Sequence, residues 1–106
     1  MSKYNNVKTE YGGRVFHSKK EAEFAQTLDT LKKAKNLRER VILYTCQSKY
    51  PVFINGIKIC DYIADFVVTH ADGWTEVVDV KGYKTAMYRL KKKMVEAYYG
   101  IKIIEV

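Results

Sequence analysis

Two dipeptides, Asn55-Gly56 and Asp72-Gly73, constrain this chain more than any other feature in it. Each separates apolar runs rich in β-branched and aromatic residues: VILYTCQ and YPVFI before the first, IKICDYIADFVV between the two, WTEVVDVKG after the second. Asn-Gly and Asp-Gly readily take the positive φ angles that reverse a chain, so runs joined this way pair as neighbours. The middle of the chain is expected to be an antiparallel meander. Near the start, Gly12-Gly13 between Val7–Tyr11 and Arg14–His17 predicts a shorter hairpin of the same kind.

Ser18 then opens a helix expected to run to about Asn36. Its start reads as a capping box, in which Ser18 accepts from the N–H of residue 21 and Glu21 reaches back to that of residue 18. Phe24, Ala25, Leu28 and Leu31 mark one helical face. One turn back, that face meets Glu21, so Glu21 rather than Glu23 is expected to point inward. After Gly82, TAMYRLKKKMVEAYYG reads as a second helix, with Met87, Leu90, Met94 and Ala97 or Tyr98 as its apolar face and Gly100 as its C-terminal cap. The strand IKIIEV follows so closely that a crossover to a parallel neighbour is expected. The predicted class is α/β: a mixed sheet, meander plus parallel C-terminal strand, flanked by two helices, in one domain over residues 1–106.

Composition excludes several alternatives. A hydrophobic fraction of 47% with 29% charged residues is globular, and no apolar run approaches the ~20 residues of a membrane span. MSKYNNVKTE has no apolar signal region, so a cytoplasmic location is expected. Cys46 and Cys60 lack metal-site spacing and are expected to be reduced, buried and apolar in character. His17 and His70 are too few and too scattered for a histidine–metal nuclease or a triad. The net charge of +7 attracts polyanions, nucleic acid before membrane surfaces.

The stretch EVVDVKGYK departs from an ordinary buried strand. Alternation puts Val78 and Val80 on one face and Val77, Asp79 and Lys81 on the other. Asp65 likewise interrupts YIADFVV, and pairing through the Asp72-Gly73 turn brings Asp65 and Asp79 across from each other. Two buried, unpaired carboxylates repel and cost several kcal/mol. A divalent cation removes the objection, because Mg²⁺ takes one or two carboxylates with water and substrate phosphate completing its shell. An adjacent lysine then orients or helps deprotonate the attacking water, or stabilises charge on the phosphate. Blander accounts stand beside this one: an ion pair for Asp79 and Lys81, a turn cap or exposed edge for Asp65, a capping role alone for Glu21. Three acids and a lysine interrupting apolar patterns in elements the topology can join favour a site.

These residues resemble the PD-(D/E)XK nuclease superfamily, and more narrowly a set of short phage and prophage proteins within it catalogued as a domain of unknown function. The resemblance covers nearly the whole chain through SKKEAEF, YIADFVV, VVDVKGYKT and YRLKKKMVEAYYGIKIIEV. It implies a restriction-endonuclease-like core, with Asp65 and Asp79 as Mg²⁺ ligands (Mn²⁺ as substitute) and Lys81 as the catalytic lysine. It also implies that Glu21 is the first-helix acid of the resolvase-like branch, a further catalytic and metal-binding residue. Ala64 stands where the name-giving proline would be, and Asp79 fills a position often held by glutamate. The implied activity is Mg²⁺-dependent hydrolysis of DNA phosphodiester bonds by a phage-encoded, structure-selective endonuclease of the host cytoplasm. Branched or recombination-intermediate DNA, such as a Holliday junction, is the implied substrate class, and two symmetric cuts would suit a homodimer. The alternative is a non-catalytic nucleic-acid-binding or phage-assembly module that keeps the fold. Lys84, Arg89, Lys91, Lys92 and Lys93 are candidate DNA-backbone contacts, with a solvated helical face as the plain alternative. Tyr83 and Tyr88 belong either to core or rim or to a stack on an unpaired base. Gly82 is expected to leave room for substrate backbone beside Lys81.

Overall fold

The computed structural model describes residues 7–81 and 83–106, so the expectation for Gly82 lies outside the described residues. The fold is mixed α/β. Its described elements are a two-stranded hairpin, two helices and a four-stranded sheet in the order β3 (Val41–Ile54), β4 (Ile57–His70), β5 (Thr75–Asp79), β6 (Ile103–Glu105). Two compact units divide the chain, Met1–Tyr44 with Thr69–Trp74, and Thr45–Val68 with Thr75–Val106.

In the first unit, β1 (Thr9–Tyr11) pairs antiparallel with β2 (Arg14–Phe16), Tyr11 opposite Arg14. Gly12 and Gly13 take φ of 61° and 78°, which lets two residues turn the chain in the sense of the strand twist. Helix α1 (Lys19–Leu31) starts at Ser18, whose hydroxyl accepts from the Glu21 N–H at 3.1 Å. The return bond differs from the expected box: Glu21 Oε2 accepts from the His17 N–H at 3.3 Å, one residue earlier than residue 18. Glu21, Ala22, Ala25 and Leu28 form the buried face, while Glu23 is exposed. The helix stops at Leu31, short of Asn36, because Lys32, Lys33 and Lys35 offer no apolar side to continue it. Its last turn tightens through i to i+3 bonds such as Lys33 N–H to Thr30 O. Asp29 accepts from the hydroxyls of Tyr11 (2.7 Å) and Tyr44 (3.0 Å), tying β1 and the start of β3 to α1.

The Asp72-Gly73 reversal also belongs to this unit and is one residue longer than a two-residue turn. Gly73 N–H bonds to His70 O and His70 N–H to Trp74 O, with Gly73 at φ 95°. Buried His70 stacks on Trp74 at 4.7 Å and bonds the Glu39 carbonyl through Nδ1, a structural role.

Residues expected to form two short strands join one 14-residue strand, β3 (Val41–Ile54), in which Gln47 takes a left-handed φ of 55°. Asn55 and Gly56, at φ 51° and 79°, turn it into β4 (Ile57–His70). Strand β5 (Thr75–Asp79) pairs in parallel with β6 (Ile103–Glu105), in the register Val77–Ile103 and Asp79–Glu105. Between them runs α2 (Ala86–Tyr99), capped by the Thr85 hydroxyl and ended by Gly100 at φ 66°. The core is Val52, Tyr62, Ala64, Val77, Val95 and Ile103, with Tyr50, Cys60, Tyr88 and Ile101 packed around it. Neither Cys46 nor Cys60 is in a disulfide, and both are only half-buried, less enclosed than expected.

The apolar face predicted for α2 is turned mostly outward, with Met94 the one member of it that is half-buried. Val95 is buried and Tyr88, Lys91 and Lys92 are half-buried, whereas Met87, Leu90 and Tyr98 are 61%, 53% and 49% exposed. Polar tethers set the rotation: Tyr88 OH donates to Glu105, and Glu96 Oε2 accepts from the Ile103 N–H at 2.8 Å. Lysine and tyrosine join apolar stems or rings to polar tips, so Tyr88, Lys91 and Lys92 can take the half-buried side of the helix while Met87 and Leu90 stay outside. No described helix is long and apolar enough to cross a membrane.

Candidate functional site

Asp65, inside β4, and Asp79, the last residue of β5, come together in the second unit. Asp65 is 5% exposed and Asp79 0%. They are cross-tied through backbone: the Asp65 N–H donates to Asp79 Oδ1 at 2.9 Å, and the Val80 N–H donates to Asp65 Oδ2 at 2.8 Å. A side-chain acceptor thus replaces a carbonyl on each strand, holding both carboxylates rigidly where the ladder opens. Asp65 Oδ1 receives a longer bond, 3.4 Å, from Gln47 Nε2.

One oxygen does not fit a purely structural arrangement. Asp79 Oδ2 is buried and has no hydrogen-bond partner among the described residues. Burial pushes the Asp79 carboxyl above its ordinary pKa, opposed by the Asp65 N–H and the Lys81 charge. An orphaned anionic oxygen costs the full desolvation of that atom. A hard cation would supply the missing partner, so the donor set fits Mg²⁺, with Asp65 and Asp79 as the residues to hold it. No cluster of three or more His, Cys, Asp or Glu occurs among the described residues. Mg²⁺ does not require one, since it keeps several waters in its shell.

Lys81 follows β5 and shares the face of Asp79. Its Nζ lies 3.9 Å from Asp65 Oδ2 and 4.9 Å from the centroid of the Tyr88 ring. Tyr88 OH donates to Glu105 Oε2 at 2.8 Å, and Lys84 Nζ lies 3.3 Å from Glu105 Oε1. The Tyr88 bond, with Lys84, holds the Glu105 carboxyl below its usual pKa. Burial, with Glu105 beside it, pushes the Tyr88 phenol far up, so it remains a neutral donor.

Two of these residues were not candidates on sequence grounds. Glu105 is brought beside Asp79 only by the parallel register. Gln47 reaches Asp65 from a left-handed backbone position that non-glycine residues seldom adopt, and its one sequence signal is the polar break between two apolar runs.

The basic residues divide. Lys84, Arg89, Lys92 and Lys93, with Glu96 and Glu105, line a surface groove of about 600 Å³. Glu105, the register partner of Asp79, forms one edge of it. Lys91 instead turns to β4, its Nζ 3.4 Å from the Asp61 carbonyl. Glu21, the remaining predicted acid, is 6% exposed in the first turn of α1 within the other unit.

A family model described as a protein of unknown function (DUF1064) matches residues 1–104. No curated protein and no solved structure matches the chain. With the match running over nearly its whole length, the chain belongs to the DUF1064 family of proteins of unknown function.

Proposed function

We propose that this protein is a Mg²⁺-dependent DNA endonuclease of PD-(D/E)XK type, with a restriction-endonuclease-like core and a structure-selective, phage-type role on branched or recombination-intermediate DNA. The observation that carries the reading is the buried, unpartnered Oδ2 of Asp79 beside Asp65, with Lys81 at 3.9 Å from the latter. Mg²⁺, when bound, supplies Lewis-acid stabilisation of the charge that develops on the phosphodiester. Asp65 and Asp79 would hold the ion, Asp79 anchored by the Asp65 N–H and Asp65 by the Val80 N–H. Lys81 presents its ammonium to a non-bridging phosphate oxygen and steadies the negative charge of in-line attack. Lys84, Arg89, Lys92 and Lys93 carry the DNA backbone along the groove, Lys91 is set apart from them by its bond to the Asp61 carbonyl, and Glu21 stays in the proposal through the family resemblance alone.

A second reading has its own observation. Three of the four carboxylate oxygens already accept hydrogen bonds, so Asp65 and Asp79 also serve as strand ties in a non-catalytic nucleic-acid-binding module. Cleavage of plasmid, single-stranded and four-way-junction DNA with Mg²⁺ or Mn²⁺ separates the two. Wild type is expected to cut at least one substrate and Asp79→Asn none. Equal cutting by both, or none by wild type, overturns the enzyme reading.

A further inference from the structure

The orientation of Lys81 is not accounted for by the carboxylates. Its Nζ is 3.9 Å from Asp65 Oδ2, beyond hydrogen-bond range, and the residue lies past the last position of β5. A lysine stem with four rotatable bonds is not oriented by one loose ion pair. The Tyr88 ring is different. Its centroid is 4.9 Å from the ammonium, within the ~6 Å over which an aromatic face attracts a cation.

That ring is fixed from several sides. Its residue sits in the first turn of α2, where the Tyr88 N–H donates to the Thr85 hydroxyl at 3.0 Å. Its hydroxyl is bound to Glu105, which Lys84 holds in turn. Tyr62 packs against it at 6.3 Å between centroids. The rigid partner orients the flexible one, so the ring sets the place of the ammonium rather than the reverse. The Lys81 side chain remains 26% exposed.

We propose that Tyr88 is a positioning residue: its ring, clamped by Thr85, Glu105 and Tyr62, holds the Lys81 ammonium beside Asp65 in the orientation the reaction needs. This rests on the nuclease reading above. It gives Tyr88 a role apart from base stacking and makes Glu105 and Lys84 the outer support of the lysine.

The test combines NMR of the metal-free protein with cleavage kinetics of the full chain. In wild type and Tyr88→Phe, the Lys81 ε-methylene signals, assigned by their loss in Lys81→Arg, are expected upfield from ring current. In Tyr88→Leu they return to the ordinary lysine position. Loss of the ring contact is expected to lower kcat about tenfold in Tyr88→Leu with KM unchanged, whereas Tyr88→Phe, which keeps the ring and loses the Glu105 bond, falls between wild type and Tyr88→Leu. If Tyr88→Leu does not fold, Tyr88→Met, unbranched and adaptable, takes its place. Ordinary Lys81 shifts in wild type overturn the proposal, as does wild-type kcat in a folded variant without the ring. Equal losses of kcat in Phe and Leu variants, with the shift retained in Phe, also overturn it. Should wild type cut no DNA, the nuclease reading falls, and the NMR comparison still decides whether the ring holds the ammonium.

Discussion

Replacing Asp79 by asparagine distinguishes a carboxylate waiting for a cation from one that only ties strands. Asparagine keeps Oδ1 as an acceptor for the Asp65 N–H and puts a neutral amide where the orphaned Oδ2 now lies. An unsatisfied neutral group buried in protein costs about 1–3 kcal/mol, and an ionised one more. In metal-free buffer Asp79→Asn is therefore expected to be at least as stable as wild type, by about 1 kcal/mol. That corresponds to a rise of roughly 5 °C in a domain of this size. With Mn²⁺ at about ten times its Kd the order reverses. Binding to the native state alone stabilises wild type by about 1.4 kcal/mol, or roughly 5–10 °C, and leaves the variant where it was. The assay is thermal unfolding of both proteins with and without Mn²⁺, alongside calorimetric titration. If the variant melts below wild type without metal and both gain the same Mn²⁺ shift, Asp79 is a strand tie and the reasoning fails.

Three further outcomes are expected. Val95→Ala should cost about 2 kcal/mol in denaturant unfolding because Val95 is fully buried, while Leu90→Ala stays within about 0.5 kcal/mol; the opposite order would place α2 in the rotation its sequence suggests. Asp29, held below its ordinary pKa chiefly by the Tyr11 hydroxyl, contributes stability that is present above pH 3.8 and lost as pH falls through its depressed folded value. Tyr11→Phe should return that pKa toward 3.8 by NMR titration, with only a small loss of stability because the pair is open to solvent screening. Arg89→Ala or Lys93→Ala should each reduce the slope of log K for duplex DNA against log salt by about 0.9, and Lys91→Ala, engaged with Asp61, should change it far less.

Local chemistry made much of this legible. Asn55-Gly56 and Gly12-Gly13 reverse the chain where their φ freedom predicts, Ser18 and Gly100 cap their helices, and a period of 3.6 turns Glu21 rather than Glu23 inward. Asp65 and Asp79 were visible because charge inside a β-branched run has few bland explanations. What failed was the rotation of α2. Lysine and tyrosine carry both apolar stems and polar tips, so a hydrophobic stripe cannot tell Met87 and Leu90 from Tyr88 and Lys92 as the inward side.

From its own sequence, then, the chain determines its turns, caps, strand runs and the two acids and lysine of the candidate site, because those signals act over a few residues. Tertiary structure alone decided the rest. The parallel register set Glu105 next to Asp79, and a left-handed Gln47 turned its amide onto Asp65. The docking of α2 placed the Tyr88 ring over Lys81 and drew Lys91 away from the groove. Each of these contacts joins residues distant in sequence, and its geometry depends on strand register and helix rotation, which no local pattern encodes.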